Sequence, residues 1–480
     1  MKSRKTQHPA LRRRPCATRW VPAMWKTDTS GTEAGCGVVR TLQEAGFPAY
    51  FAGGCVRDWI LYRAPRDLDV ATAATPEEIE ALFSSTRPIG KAFGVVQVTV
   101  NGLSFDVATF RRDVGHSDGR RPDRVEFATA VEDARRRDFT INGLFYDPVA
   151  DQVLDFVGGR QDIEEKTVRT IGDPAQRFAE DYLRMLRAAR FATVLQYRID
   201  PATEEAIRRE AENLVHISAE RIAEEITRIL LEAPRAGEGF RLLRRLGLLR
   251  VVLPEVEALA GQAQPPQFHP EGDVFTHTTM MLDAMEHPTR TLALAVLLHD
   301  IAKPVTAATT TEPDGTERIR FNLHANIGAT MSKEILTRLR LPKRHMEAVA
   351  HCVGNHMKFA DVPHMRDATL RRLVGGRTFP VELELHRLDC LCSHNDLTIH
   401  EFLTAYLERL ALTPALPKAW VNGNDVMALG VPEGRAVGDW LKRAYDAQLN
   451  QEFGNREELL AWLQTLITAE PSPPGPVRSP

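Results

Sequence analysis

Asp67-Leu68-Asp69 places two carboxylates two residues apart. On an extended segment a period of two turns both carboxylates to one face and sends Leu68 the other way, into a core. Side by side they repel unless a cation joins them. Hard oxygen donors on one face suit Mg²⁺, which keeps waters and takes its remaining ligands from substrate phosphates. Asp106, in Ser104-Phe105-Asp106-Val107-Ala108, has apolar neighbours at alternate positions, so an adjacent strand would bring a third carboxylate to the same place. Three carboxylates and two metals fit in-line nucleotidyl transfer. Gly53-Gly54 stands between an apolar run and a helical one, where missing Cβ atoms let backbone N–H groups and a helix N-terminus approach a phosphate. A DxD pair alone also reads as a surface turn, and a glycine pair as an ordinary turn. Their combination with Asp106 favours the chemical reading.

These residues sit in blocks that resemble one family. Gly53-Gly54-Cys55-Val56-Arg57-Asp58, with Asp67-Leu68-Asp69-Val70-Ala71-Thr72 after it, looks like the GGxVRD…DxDxAT block of the bacterial-type (class II) CCA-adding tRNA nucleotidyltransferase and poly(A) polymerase family, a branch of the polymerase β superfamily. The resemblance implies that Asp67, Asp69 and Asp106 are catalytic and hold Mg²⁺. Tyr62 departs from the glycine usual at its position. Thr109 to Phe127 resembles the family's flexible loop, and Arg136-Arg137-Asp138-Phe139-Thr140-Ile141-Asn142 its RRDFTIN block. By resemblance Gly53, Gly54, Arg57, Arg137 and Asp138 contact the nucleotide. An arginine fork suits phosphate oxygens, and a carboxylate can accept from a ribose 2′-OH; the plain alternative for 135 to 137 is a solvated charge run.

Glu180-Asp181-Tyr182-Leu183-Arg184-Met185-Leu186-Arg187 reads as one amphipathic helix, with Asp181 and Arg184 a turn apart on one face. It resembles the family's EDxxR block, in which the Asp and Arg read the incoming base; Arg187 joins the nucleotide-binding set. Cytosine and adenine both present an amino donor beside a ring-nitrogen acceptor, which such a pair can satisfy; uracil and guanine do not. Without the resemblance, the pair is a helix-surface ion pair. Arg235, Arg241, Arg244, Arg245 and Arg250 fit either RNA phosphates or a solvated helix face.

Residues 271 to 400 hold eleven of the fifteen histidines. His277, His299-Asp300, His324, His356 and Asp389 follow the spacing of HD phosphohydrolases. Imidazoles and carboxylates together suit Ni²⁺, Mn²⁺ or Co²⁺ and would activate water on a phosphoester. His351 is the weaker ligand candidate, and His287, His345, His364, His386 and His394 read as surface or core.

The elements behind these motifs change along the chain. Short strand-like runs (49–52, 68–71, 95–100, 103–110, 153–156) alternate with helical ones up to about 168, then a 3.6-residue apolar period takes over from 173. The expected fold is an α/β (α+β) polymerase-β-like nucleotidyltransferase head followed by all-α neck, HD and C-terminal helical domains. The expected boundaries are a disordered extension at 1–34, head at 35–168, neck at 169–260, HD domain at 261–400, C-terminal helices at 401–468 and a disordered tail at 469–480. The Pro-rich 261–270 reads as a linker.

The chain has 480 residues, 43% hydrophobic and 26% charged, with no apolar run long enough to span a bilayer. Six cysteines without a CxxC pair argue against a disulfide framework and a structural zinc site, and fit a reducing cytoplasm. The net charge of -3 hides eight Lys or Arg and no acid in residues 1–26, which leaves 53 basic against 64 acidic residues, or -11, in the rest. Nucleic acid would therefore meet local basic patches. Taken with the resemblance, the sequence implies addition of CCA to tRNA from CTP and ATP, with HD hydrolysis alongside. No membrane and no obligatory protein partner is expected. A poly(A) polymerase, or an HD phosphohydrolase with a non-catalytic RNA-binding head, are the rival readings.

Overall fold

A computed structural model describes residues 29–90, 93–115, 124–265, 269–311, 317–410 and 414–469. The chain divides into two compact units. Residues up to Ser218 with Leu246–Leu248 form the first; Ala219–Arg245 and the residues from Leu249 onward form the second. No helix among the described residues is long and apolar enough to cross a membrane.

The first unit is built on a seven-stranded mixed sheet. Its strands are β1 (Ala49–Ala52), β2 (Val70–Thr72), β3 (Thr86–Gly90), β4 (Val95–Val100), β5 (Leu103–Thr109), β8 (Leu144–Asp147) and β9 (Gln152–Asp155), in the order β3-β4-β5-β2-β1-β8-β9. β6 (Arg111–Val114) and β7 (Arg124–Phe127) pair as a separate hairpin, and β10 (Thr167–Val168) pairs with β11 (Arg198–Ile199). Alternation buries Val96 and Val98 of β4, and Phe105 and Val107 of β5. The helix Thr29–Glu44 covers this face through Val38, Val39 and Leu42, all fully buried. Close approach has a local requirement: a Cβ on Gly35 would lie 3.0 Å from the Phe51 ring. The disordered start expected at 1–34 is therefore corrected. Thr29 to Ala34 is helical, because Ala34 opens the apolar stripe that packs on the sheet; residues 1–28 and 470–480 lie outside the described residues.

In the second unit the helix Arg290–Leu298 is apolar on all sides and buried from Leu292 to Leu298, which makes it the central element of a helical bundle. Helices Val274–Ala284, His324–Arg338, Lys343–Asn355 and Phe379–Cys392 complete the bundle. A hairpin that the sequence did not suggest, β12 (Ala307–Thr311) with β13 (Glu317–Phe321), interrupts it. Helices Gly423–Ala428, Arg435–Leu449 and Arg456–Ala469 close over their own apolar cluster around Trp440, Leu459 and Leu463. The Pro-rich stretch at 261–270 is not a linker between units. Its flanks belong to one unit, and Gln264 is buried against Lys303; residues 266–268 lie outside the described residues.

Candidate active site and metal centre

β2 and β5 run parallel with Val70 opposite Val107, so the preceding residues, Asp69 and Asp106, come level. Asp69 already joins the ladder, since its carbonyl accepts from Ala52 N at 3.0 Å. Asp67 and Asp69 lie in the extended segment just before β2 rather than on it, and Leu68 is half-exposed instead of pointing into the core. The sheet is too short there to bury it. Asp106 is half-buried and takes a 3.2 Å hydrogen bond from Gln97. The Asp69 carboxyl is held above its ordinary range, by loss of hydration first and by the charges of Asp106 and Asp67, against the pull of Arg137.

The glycine loop abuts this group. Gly53 has a φ of 79°, and a Cβ there would lie 2.8 Å from Arg137 Nη1. Arg137 is aimed from behind by Asp133, a carboxylate 1% exposed that also accepts from Arg136 and from Arg111 N. Arg57 is buried and donates to Asn142 and Asp58, which ties the loop to the Thr140–Asn142 turn. Asp138 accepts from Phe139 N and Asn142 through Oδ1, and from Arg187 at 2.9 and 2.7 Å through Oδ2. Burial resists its ionisation, but Arg187 and Asn142 hold the carboxyl down at about 2. Most of its acceptor capacity is thus already used.

The single helix expected across 179–187 is broken. One helix ends at Glu180, Asp181 adopts an extended backbone (φ -159°, ψ 102°), and a second helix runs Leu183–Leu195. Asp181 accepts from Leu183 N at 3.1 Å, an Asp favouring such a local bond over helix continuation. Arg184 donates to Glu180 and to the carbonyls of Arg177 and Arg136. Asp181 and Arg184 are thus close in sequence but come from different elements. Glu180 and Asn142, inside the quoted motifs but given no role there, and Asp133, outside them, hold the arginines in place. The expected loop at 111–126 begins and ends as β6 and β7; residues 116–123 lie outside the described residues.

The histidine cluster is built from helix ends. His299 caps the apolar helix Arg290–Leu298, His324 opens one helix, His356 closes another, and His277 and Asp389 sit within theirs. His299, His324 and His356 each lie with Nδ1 2.7–2.9 Å from a backbone carbonyl (Val296, Phe321, Val353). That contact puts the proton on Nδ1 and leaves Nε2 as a lone pair, the arrangement of a metal ligand. The Nε2 atoms of His324 and His356 face each other at 3.1 Å. Two lone pairs at that distance repel, whereas two nitrogens bound at about 2.1 Å to one ion would sit so. His299 Nε2 is buried without a hydrogen-bond partner and lies 3.1 Å from Asp300 Oδ2; Asp300 Oδ1 lies 3.6 Å from His324. His277 Nε2 lies 3.0 Å from Asp389, and its Nδ1 2.7 Å from Glu271.

Among the described residues, the sets of three donor atoms close enough to share one ion all lie here: His277, His299 and Asp389; Asp300, His324 and His356; His269, Glu271 and His277. The donor set fits a transition metal. The head carboxylates stand further apart and would need phosphate oxygens to complete an ion's shell. Burial, followed by the charge of His299, pushes His356 down to about 4, so it is neutral and able to ligate. Burial opposes charge on His277, yet Asp389 and Glu271 raise it to about 9.

His269, inside the stretch read as a linker, and Glu271, just after it, were missed because neither falls in the HD spacing. His351 lies instead 3.1 Å from Glu382, and His386 stacks on Phe359. Arg235 and Arg241 pair with Asp283, and Arg244 with Glu257. The five described cysteines are free thiols.

Three segments of the chain match known families. Residues 49–169 match the family described as "Poly A polymerase head domain", 196–259 "Probable RNA and SrmB- binding site of polymerase A", and 273–391 "HD domain". A CCA-adding enzyme of Lactobacillus helveticus is 40% identical over 235 residues, 49% of this chain and 57% of that protein. One from Geobacillus sp. (strain WCH70) is 44% identical over 213 residues, 44% of this chain and 52% of that protein. The chain thus spans about half the length of the curated relatives it matches. The crystal structure of the Bacillus stearothermophilus CCA-adding enzyme in complex with CTP superposes with a TM-score of 0.71 at 27% identity, covering 92% of this chain and 99% of the other.

Proposed function

We propose that the chain is a member of the tRNA nucleotidyltransferase and poly(A) polymerase family with an HD domain, and that it adds or repairs the 3′-terminal CCA of tRNA from CTP and ATP. The observation that carries this reading is the parallel register that sets Asp69 level with Asp106, beside a glycine loop against which Arg137 packs. Asp67, Asp69 and Asp106 would hold Mg²⁺, which supplies charge neutralisation at the attacked phosphate when bound. The tRNA 3′-OH forms a bond to the α-phosphorus, and the bond to the leaving pyrophosphate breaks. Arg137, fixed by Asp133, meets the triphosphate. Asp138 holds Arg187 in the nucleotide pocket and keeps limited capacity for the ribose.

Asp181 and Arg184 read the base. The cytosine or adenine amino group donates to the carboxylate, and the ring nitrogen accepts from the guanidinium. A wrong base leaves these polar groups unpaired, which costs a site built on hydrogen bonds up to about 10⁴ to 10⁵ in selectivity. The break after Glu180 supports this reading, because it takes Asp181 off the helix surface where an ordinary ion pair would sit, and Glu180 anchors Arg184. Gly53, Gly54 and Arg57 shape the loop. Reaction with soluble nucleotides and tRNA belongs in the cytoplasm, with no membrane and no obligatory protein partner.

The test is extension of a tRNA lacking its 3′ end. CTP alone should add two residues, CTP with ATP should stop at three, and UTP and GTP should add none. A long adenosine ladder independent of CTP would replace this reading with poly(A) synthesis. The histidine cluster supports a second activity in the same chain: hydrolysis of a phosphoester with Ni²⁺, Mn²⁺ or Co²⁺ held by His277, His299, Asp300, His324, His356 and Asp389.

A further inference from the structure

Three of the four histidines in the cluster take their orientation from the backbone. The carbonyls that meet Nδ1 of His299, His324 and His356 each lie three residues back. Val296 and Val353 stand in the last turns of their helices, where carbonyls lack an intrahelical partner, and Phe321 ends β13. His277 has no such carbonyl. It falls in the first turn of the helix Val274–Ala284, and the carbonyl three residues back, that of Val274, is committed to the helical ladder. Its Nδ1 is buried, makes no aligned hydrogen bond among the described residues, and lies 2.7 Å from Oε1 of Glu271, whose side chain is 5% exposed. His269 Nδ1 lies 2.9 Å from the same oxygen, and its ring meets that of His277 edge-on with centroids 5.0 Å apart. The chain itself sets Glu271 in this place. Gly272 turns at a φ of 123°, Asp273 accepts from Thr276 N at 2.7 Å and from Gly261 N at 2.6 Å, and Val274 N and Phe275 N donate to the carbonyls of Gln262 and Leu259.

We propose that Glu271 is the positioning carboxylate of the metal centre: it holds the ring proton of His277 on Nδ1, so that Nε2, 3.0 Å from Asp389, presents a lone pair to a transition-metal ion shared with His299 and Asp389. This rests on the reading of the cluster as a transition-metal site. A neutral His277 has one ring proton and stands between two carboxylates. On Nε2 that proton would pair with Asp389 and close the ring to an ion. On Nδ1 it pairs with Glu271, leaves both Nε2 and Asp389 free to bind, and sets a negative charge behind the ring that strengthens the lone pair. The backbone carbonyls give the other three histidines the same tautomer without that charge. His269, the second ring nitrogen at the same oxygen, keeps the carboxylate turned toward His277. The distances suit this role better than that of a ligand, because nitrogens at 2.7 and 2.9 Å from one carboxylate oxygen are spaced as N–H donors around an acceptor. Glu271 acts through His277 and touches neither ion nor substrate.

Full-length protein stripped with a chelator and reloaded with Co²⁺ tests this without turnover. Competition with a chelating dye gives the affinity, metal analysis gives the ions per chain at saturation, and the visible absorption of bound Co²⁺ reports its ligand field. Glu271→Ala should weaken Co²⁺ binding by about 10- to 100-fold, with the ions per chain unchanged and the Co²⁺ band altered. Glu271→Gln keeps the shape and an acceptor oxygen but not the charge, so its affinity should fall between those of Glu271→Ala and the wild type. In a His277→Ala background, Glu271→Ala should cost no further affinity, because its effect passes through that ring. A residue that merely packs would lower the Tm of the metal-free protein while Glu271→Gln kept wild-type affinity and band, and that result overturns the proposal. So does a full additional loss in the His277→Ala background. Loss of one whole ion per chain in Glu271→Ala, with the remainder held as tightly as before, would make Glu271 a ligand and overturns the positioning role. Wild-type protein that takes up no Co²⁺ sinks the metal-centre reading itself, and the role of Glu271 with it.

Discussion

Asp69 and Asp106 owe their juxtaposition to one parallel strand pair, while Asp67 reaches the same place through local chain geometry. If all three hold the ions of the transfer reaction, replacing Asp69 or Asp106 by Ala should lower CCA addition by about 10³ or more. Filter binding of tRNA should change only a fewfold. Near-normal turnover in either variant would remove the carboxylate assignment. Asp138 carries a prediction of another kind. Its carboxyl is depressed from 3.8 to about 2 by Arg187 and Asn142 against burial. A depressed carboxyl contributes stability that is full above the unfolded value and is lost as pH falls through the folded one. The Asp138–Arg187 pair should therefore contribute about 2 kcal/mol above pH 4, falling away toward pH 2. Denaturation of wild type and Asp138→Asn across that range measures it; a gap independent of pH would contradict the pairing.

Among the elements, turns and helix ends do most of the positioning. Gly53→Ala introduces a Cβ at a φ of 79° and 2.8 Å from Arg137 Nη1. Asp133 pins Arg137, so the substitution should displace it and cost about 1–2 kcal/mol in backbone strain. Steady-state kinetics should show a higher KM for CTP and ATP with addition falling about tenfold or more. Tyr62 offers the opposite case. It holds a φ of 57° while 65% exposed, so Tyr62→Gly should raise stability by about 0.5–1 kcal/mol, read as a higher Tm. The break between the helices ending at Glu180 and starting at Leu183 depends on Asp181. Asp181→Ala should remove the bond to Leu183 N, at about 1 kcal/mol, and relax rejection of UTP. Wild-type selectivity in that variant would reduce Asp181 to a capping residue.

Across the whole chain, the carboxylate group and the histidine cluster belong to different compact units. His299→Ala and Asp300→Ala should therefore abolish metal-dependent phosphoester hydrolysis while CCA addition stays within about twofold, since each unit retains its own core. Removal of transition metals by a chelator, followed by Mg²⁺ alone, should reproduce the same split. Loss of addition in the histidine variants would mean that the two units act as one catalytic machine.

Much of this site was legible in the sequence because its motifs are short. Gly53-Gly54, Asp67-Leu68-Asp69, Arg137-Asp138 and His299-Asp300 carry their geometry in residue spacing, and the alternation around Asp106 revealed a strand neighbouring the DxD segment. The apolar helix leading into His299 was equally plain. Tertiary structure decided the rest. Asp138 meets Arg187 49 residues on, His277 meets Asp389 112 residues on, and Gln264 meets Lys303 39 residues on. No local period encodes such pairs, because a buried charge finds its partner only once distant elements have packed. The same reason hid Asp133, Glu271 and the β12–β13 hairpin: the helical background masked two short strands, and the Pro-rich stretch showed its place beside the metal-binding residues only when the chain had folded around it. Sequence determined which chemical groups the protein possesses; packing decided which of them face one another.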